Sequence, residues 1–266
     1  MKRRLLLTAI AAASASASIA VDAAEPSARD IMERNFHASK IKRLKADSTM
    51  ELVAAGGSRR ERRSTIVLKL QPNGVDSKLL VRFSSPSDIK GTAFLQIEHI
   101  DGDDDQWIYL PALKRSRRLV ANNKKDSFVG SDFSYGDVSL PKVDLYRHTL
   151  LRSEPWDQQD CYVVESVPID DAVKSNSGYS RKLSWIRKDN FVEARVEYHD
   201  LSNRHLKTQV TSNHKQVQTD PVRSFALHRE MVNHQTGHKT ILRFDGVDPS
   251  VATPDELFST RHLERE

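Results

Sequence analysis

The chain has 266 residues, 41 Lys and Arg against 36 Asp and Glu, and a formal net charge of +5. Charges of both signs are interleaved along it, the pattern of an ordinary solvated surface, which argues against a nucleic-acid groove. A single cysteine excludes an intramolecular disulfide, so the fold has to rest on its apolar core, as a chain of this size can manage.

The opening, MKRRLLLTAIAAASASASIAVDA, runs from basic residues through an uncharged stretch, Leu5 to Val21, to the small residues Val21 and Ala23. That order is a secretory signal peptide, with cleavage expected after Ala23. Ser and Thr dilute the apolar stretch and Asp22 follows it, which speaks against an uncleaved anchor. Arg3-Arg4 lacks the rest of a twin-arginine signal. Losing residues 1–23 removes three basic residues and one acidic residue, leaving a net charge of +3. Residues 24–266 are expected to form a single exported domain, because no long linker and no repeat beyond a hairpin rhythm interrupts them.

Within 26–46, apolar residues at Ile31, Met32, Phe36, Ile41 and Leu44 are compatible with an amphipathic helix, looser after Phe36, with Pro26 suited to its first turn. From Ser48 the period changes. STIVLKL, DSKLLVRF, TAFLQIEHI and QWIYLP are short strand-like runs separated by turn residues. CYVVESV, RKLSWIR, FVEARVEYH, LKTQVTSNH, FALHREMVN and KTILRFD repeat the rhythm, with turns at 188–190, 200–203 and 235–237. Cys161, in Cys-Tyr-Val-Val, suits a small apolar filler of a strand better than a reactive thiol. The pattern predicts a mainly β protein in which about ten strands form one antiparallel meander, enough to curl strongly or nearly close into a barrel. Thr253-Pro254-Asp255-Glu256 has the order of a capping box and predicts a short closing helix. Apolar residues at consecutive positions in LLVRF, FLQIEHI and WIYL predict burial on both faces of these strands, as in a curved sheet with one face against other elements and the other lining an apolar interior.

In HIDGDDDQWIYLP, Asp101, Asp103 and Asp105 occupy the first, third and fifth positions of a calcium loop. Gln106 stands where that loop needs glycine, and Ala112 where it needs the bidentate glutamate. A polar hairpin tip around Asp101-Gly102, between strands at 92–100 and 105–110, is the better reading. His234 and His238 have helical ligand spacing but flank Thr236-Gly237 in a turn, so no metal site is expected. No nucleophile elbow, metalloprotease pair, phosphate loop or haem-attachment pair occurs, so neither an enzyme nor a cofactor is expected. The runs Arg59-Arg60-Glu61-Arg62-Arg63 and Lys114-Arg115-Ser116-Arg117-Arg118 suit solvated tips. The competing reading is docking to an acidic partner or an anionic membrane surface, at about 1 kcal/mol per basic residue near such a surface.

QWIYLPALKRSRRLVANNKKDSFVGSDFSYGDV, residues 106–138, resembles a signature of bacterial outer-membrane lipoprotein-sorting proteins, part of the superfamily of the periplasmic lipoprotein carrier LolA. The Phe128-Val-Gly-Ser-Asp-Phe-Ser-Tyr135 segment is its most specific part. Trp185-Ile-Arg-Lys-Asp-Asn, Glu197-Tyr-His-Asp, Thr240-Ile-Leu-Arg-Phe and Pro254-Asp-Glu-Leu-Phe agree with it, and the likeness runs from about residue 30 to the C-terminus. The resemblance implies an unclosed antiparallel barrel around an apolar cavity, with an N-terminal helix and lid helices over its open side. It also implies a periplasmic carrier that binds the acyl chains of a lipoprotein or lipid and moves them towards the outer membrane, with an inner-membrane transporter of the resistance-nodulation-division (RND) type as partner. No catalytic residue is implied, and the arginine that locks the lid of the lipoprotein carrier has no motif here on which to place it.

An acyl chain of about 15 methylenes, at about 0.8 kcal/mol each, carries roughly 12 kcal/mol of aversion to water that a carrier has to offset. Phe83, Phe94, Leu95, Trp107 and Tyr109 are candidate cavity lining, with ordinary core packing as the competing reading for each. Phe128, Phe133 and Tyr135, in an irregular Gly- and Ser-containing segment, are candidates for the cavity mouth. Lys114, Arg115, Arg117 and Arg118 are candidates for partner docking. A monomer with peripheral membrane contact is expected. The alternative is a lipid-sensing interaction protein on the same fold that regulates a membrane partner.

Overall fold

The computed structural model describes residues 25–265; the expected signal segment, residues 1–23, lies outside them. Helix α1 (Ala28–Ala38) starts at Ser27, whose hydroxyl accepts from the Asp30 N–H while the Asp30 carboxylate accepts from the Ser27 N–H. This reciprocal cap satisfies donors that every helix start leaves open. The helix ends eight residues short of the expected boundary. Leu44, Ala46, Ser48 and Met50 are buried at alternate positions, the two-residue period of strand β1 (Arg43–Val53) rather than of a helix.

Strands β2 (Arg59–Leu70), β3 (Ser77–Ser85), β4 (Ala93–Ile97), β5 (Asp105–Leu110) and β6 (Arg115–Leu119) follow as a meander. Residues 120–145 then run without a strand or an α-helix to β7 (Tyr146–Trp156) and β8 (Gln159–Pro168). After the short helix α2 (Asp171–Ser177) come β9 (Arg181–Arg187), β10 (Glu193–His199), β11 (His205–Thr219), β12 (Val222–Asn233) and β13 (Lys239–Asp248). Helix α3 (Thr260–Leu263) follows them.

All these strands pair antiparallel in one 13-stranded sheet of order β6-β5-β4-β3-β2-β1-β13-β12-β11-β10-β9-β8-β7. The first strand therefore sits at the centre beside the last, with Met50 opposite Leu242. β6 and β7 are the two free edges, so the sheet is a curved, unclosed half-barrel. One apolar cluster joins Leu119 of β6 to Val196 of β10 and Phe225 of β12, which a flat sheet would keep far apart. The three strands beyond the ten expected are β1, β6 and β7. The first hid its alternation among charged outward residues; the other two are edges, where exposed polar residues replace the apolar run.

The apolar residues on both strand faces have separate uses. On the inner face Val81, Phe83, Phe94 and Ile108 join the main core. Their sequence neighbours Leu80, Ala93, Leu95 and Tyr109 point outward and pack against Phe258 and Leu263 of the C-terminal segment. At the other end of the sheet α1 lies on the inner face, with Ile31 and Met32 against Tyr162, Val164 and Ile186. Cys161, Val163 and Trp185 pack on the outer face, and burial raises the Cys161 thiol above its ordinary value.

The C-terminal capping box takes another form. Residues Asp255–Phe258 make a 3-10 turn with no side-chain cap, and Ser259 caps α3 by accepting from the His262 N–H. Asp255 is drawn instead to Lys78 and Lys69, at 2.8 and 3.0 Å, which pins the turn to the outer face of β2 and β3.

Candidate functional site

The inner face of the half-barrel is covered at its centre by the crossover, residues 120–145, rather than by a helix. Its sequence explains the irregularity: Asp126, Ser127, Ser134 and Asp137 bind nearby backbone and side-chain groups, which offers the chain an alternative to helix or strand. Phe128 and Phe133 are brought together by a tight loop in which the Phe128 N–H donates to the Phe133 carbonyl at 2.7 Å. Val129 and Gly130 turn that loop in the left-handed region, with φ of 49° and 72°. A β-branched residue resists this conformation, and Gly130 also leaves room for the Arg62 guanidinium, 3.6 Å from where a Cβ would stand.

The loop delivers its aromatic side chains onto the sheet. Phe128 lies 5.4 Å from Phe94, 6.2 Å from Phe83 and 5.5 Å from Tyr135, ring centre to ring centre, and Phe94 lies 5.6 Å from Tyr135. Phe83, Phe94, Phe128, Phe133 and Tyr135 are all buried in one cluster. The structure therefore brings together five of the eight aromatic and aliphatic candidates. Leu95, Trp107 and Tyr109 are on the opposite face beneath α3, because strand alternation turns each away from its inward neighbour. Between the crossover and the sheet a cavity of about 50 Å³ remains, beside Leu68, Leu79, Val138 and Leu140. A larger hollow of about 460 Å³ is an open polar groove at the β11–β12 turn, lined by Lys42 and residues 216–220.

The crossover is anchored by a buried ion pair. Lys207 of β11 donates to the Asp137 carboxylate at 2.6 Å and to the Asp132 carbonyl at 2.8 Å. Asp137 also accepts from the Tyr179 hydroxyl at 2.9 Å and the Ser134 N–H at 2.7 Å. Burial by itself would raise the Asp137 carboxyl, but the Lys207 charge and these hydrogen bonds outweigh it and hold the group below its ordinary value. The Tyr179 and Tyr198 hydroxyls are pushed well above theirs by burial and by the Asp137 charge. Asp132 and Thr240 bind one another at 2.7 Å, and Ser139 bridges Gln96 and Gln106. Lys207 and Asp137 are 70 residues apart in sequence, and no spacing signal links them.

The acidic hairpin is tied to the same crossover. Asp105 holds His99 and Arg118, and Lys142 binds the His99 and Gly102 carbonyls with Asp104 at 3.5 Å. Lys142 thus supplies the cation of the aspartate-rich turn. His234 shares Thr208 with His205 through Nε2. Among the described residues no group of three His, Cys, Asp or Glu is arranged to hold a metal ion. Lys114, Arg115, Arg117 and Arg118 are exposed at the β6 edge, and Arg118 is paired with Asp105. The other basic run lies within β2 rather than at a hairpin tip.

The two ends of the inner face differ in chemistry. Opposite the aromatic cluster, β9 to β12 present Lys182, Ser184, Tyr198, Gln209 and Arg229. Arg62, Met50, Leu242 and Arg229 form one row across β2, β1, β13 and β12. Burial lowers both guanidinium groups from their ordinary values.

Comparisons with known proteins agree with this architecture. A family model described only as "uncharacterized protein" matches residues 75–265. No curated protein matches the chain. An outer-membrane lipoprotein-sorting protein domain from Vibrio parahaemolyticus is 33% identical, covering 90% of this chain and 98% of its own, with a TM-score of 0.81. A DUF1329 family protein from Desulfovibrio piger is 27% identical over 89% of this chain and 97% of its own, with a TM-score of 0.80. A LolA superfamily protein from Nitrosomonas europaea is 20% identical over 90% of this chain and 100% of its own, with a TM-score of 0.67, a likeness of fold alone. A third of the residues shared with the Vibrio domain, across nearly the whole of both chains and on the same half-barrel, places this protein in the outer-membrane lipoprotein-sorting family, on a LolA-like fold.

Proposed function

We propose that the protein is a periplasmic carrier that holds the acyl chains of a lipid or lipoprotein on the inner face of the half-barrel, without covalent chemistry, and shuttles them towards the outer membrane. The observation that carries this reading is the covering of the apolar cluster on the inner sheet face by an irregular crossover rather than by a second regular layer. An acyl chain needs several hundred Å³, on the scale of small-molecule sites, whereas the gap beneath the crossover is about 50 Å³. Cargo therefore enters by taking the place of Phe128, Phe133 and Tyr135 against Phe83 and Phe94. Exchanging one apolar occupant for another keeps the face out of water in both states, so loading and release need not expose it.

In this reading residues 1–23 direct export and residues 24–266 form the carrier domain. An RND-type transporter of the inner membrane is the proposed partner, with the β6 edge around Lys114, Arg115 and Arg117 as its docking surface. Native mass spectrometry after gentle purification from bacterial cells is expected to find co-purifying lipid; apo protein alone across preparations would sink the carrier reading. A second reading, a lipid sensor, is favoured by the buried Lys207–Asp137 anchor, which would make displacement of the crossover an all-or-none event. The sensor would form or lose a complex with a membrane protein on adding lipid, with no net transfer between donor and acceptor vesicles.

A further inference from the structure

The inner face carries a charge that the fold itself does not use. Arg229 lies midway along β12 and projects inward beside Leu227 and Met231. Its guanidinium stands over the rings of Phe225 and Phe244, 5.5 and 5.6 Å from their centres. Among the described residues it donates no hydrogen bond and forms no ion pair. Its Nε is buried without an acceptor, and the residue as a whole is half-buried. This differs from Lys207 on the neighbouring strand, whose ammonium has a carboxylate and a carbonyl. Arg62, in the same cross-strand row, shares the condition: its Nη1 is buried without an acceptor beneath Gly130 of the crossover.

The Glu193 charge favours the guanidinium, yet no ion pair joins the two and Arg229 keeps no acceptor among the described residues. Its cross-strand partner Thr211 donates its hydroxyl to the Glu193 carbonyl, which brings Glu193 into the neighbourhood without an ion pair. Burial raises the Glu193 carboxyl above its ordinary value, and Ser184 binds it. Lys182, the other basic group on this part of the inner face, lies over the Tyr146 ring at 4.5 Å. A guanidinium partly withdrawn from water, with its Nε lacking an acceptor, is unfavourable in the protein alone and is relieved when an acceptor reaches it. Its planar fork matches a phosphate or a carboxylate. The rings beneath it, Phe225 and Phe244, belong to the same apolar cluster as Phe94 and Phe128. One ligand can therefore lay an acyl chain against the aromatic end of the inner face and bring a charged group to Arg229.

We propose that Arg229 receives the anionic group, phosphate or carboxylate, of the carried acyl compound, so that the cargo is an acidic lipid rather than a neutral one. This rests on the acyl-carrier reading above and adds the headgroup chemistry to it. The test titrates the purified protein with two single-chain probes of equal length, palmitoyl lysophosphatidic acid and monopalmitoyl glycerol. The acidic probe is expected to bind about tenfold more tightly or better, as hydrogen bonds to a charged group predict. In Arg229→Met that ratio is expected to fall towards one. Arg229→Gln serves as a second variant, and circular dichroism and thermal melting establish that each is folded. A wild-type ratio near one, or a tenfold ratio kept in a folded Arg229 variant, overturns the assignment. Displacement of the acidic probe by millimolar inorganic phosphate would mean a site for free anions and would also overturn it. Failure of both probes to bind removes the carrier reading itself, an outcome distinct from equal binding of the two.

Discussion

The two ends of the inner face are built from the same antiparallel strands and solve burial in opposite ways. Over β2 to β5 the sheet offers Ile66, Phe83, Phe94 and Ile108, and the crossover returns Phe128 and Tyr135, so the aromatic contacts between them are replaceable by another apolar surface. Over β9 to β12 the sheet offers Lys182, Tyr198, Lys207 and Arg229, and the crossover answers only Lys207, through Asp137. The difference teaches where each function can reside. An apolar contact is non-directional and tolerates exchange of partners, whereas a buried charge demands a particular partner. The aromatic end suits a shape-tolerant acyl chain, and the charged end suits an anchor and selectivity.

The largest effect expected is at the aromatic end. Phe94→Ala removes a fully buried ring at the meeting point of Phe128 and Tyr135. It should cost about 4 kcal/mol in urea unfolding, in the range for large-to-small core changes; a cost below about 1 kcal/mol would mean that the crossover is not packed on the sheet in solution.

At the anchor, Asp137→Asn leaves the Lys207 ammonium buried without its counter-charge and should cost about 3 kcal/mol. Adding Lys207→Met should recover much of that loss, because the orphaned charge, rather than the missing attraction, is the main penalty. If the double variant is no more stable than the single one, the pair is not a desolvated couple.

Placing the opposite face out of contact with cargo is tested by Trp107→Glu, at a half-buried position beneath α3. Retained lipid per protein, read by native mass spectrometry, should match the wild type. A marked loss would move the binding surface to the outer face.

Acid titration separates two buried lysine–carboxylate pairs. The Asp137 carboxyl is held below its ordinary value, so its contribution is present above about pH 3.9, the ordinary aspartate value, and is lost as pH falls through the folded value. Glu98, 2.5 Å from Lys40, is raised by burial in spite of that lysine. Its stabilising effect therefore has the opposite sign: stability falls as pH rises from about 4.3, the ordinary glutamate value, through the folded value. The stability gap between wild type and Asp137→Asn should narrow below about pH 3.9, and unfolding curves across this range check it. The smallest effect expected is for Arg229→Met, which removes an unsatisfied donor and should leave stability within about 1 kcal/mol of the wild type.

Much of the fold was legible in sequence. Ten of the thirteen strands announced themselves as apolar runs between turn residues, and the consecutive apolar residues of β3 to β5 foretold burial on both faces. The missed strands were those whose residues alternate with charges or line an edge. The acidic hairpin was also legible as a turn, though its cation, Lys142, was not. Of the eight apolar candidates, period-two alternation divides Phe94 from Leu95 and Ile108 from Tyr109, but a strand read alone does not reveal which of its faces is concave.

By itself the sequence determined the antiparallel meander, the irregular stretch with its Phe-Val-Gly-Ser-Asp-Phe-Ser-Tyr core, and the family likeness, because these depend on local period and turn chemistry. Only the tertiary structure decided that β1 closes against β13, that the irregular stretch becomes the cover of the inner face, and that Lys207 finds Asp137 while the Arg229 Nε finds no acceptor among the described residues. Those outcomes depend on which residues the sheet's curvature brings together across long separations, and such juxtapositions leave no local trace in composition or spacing.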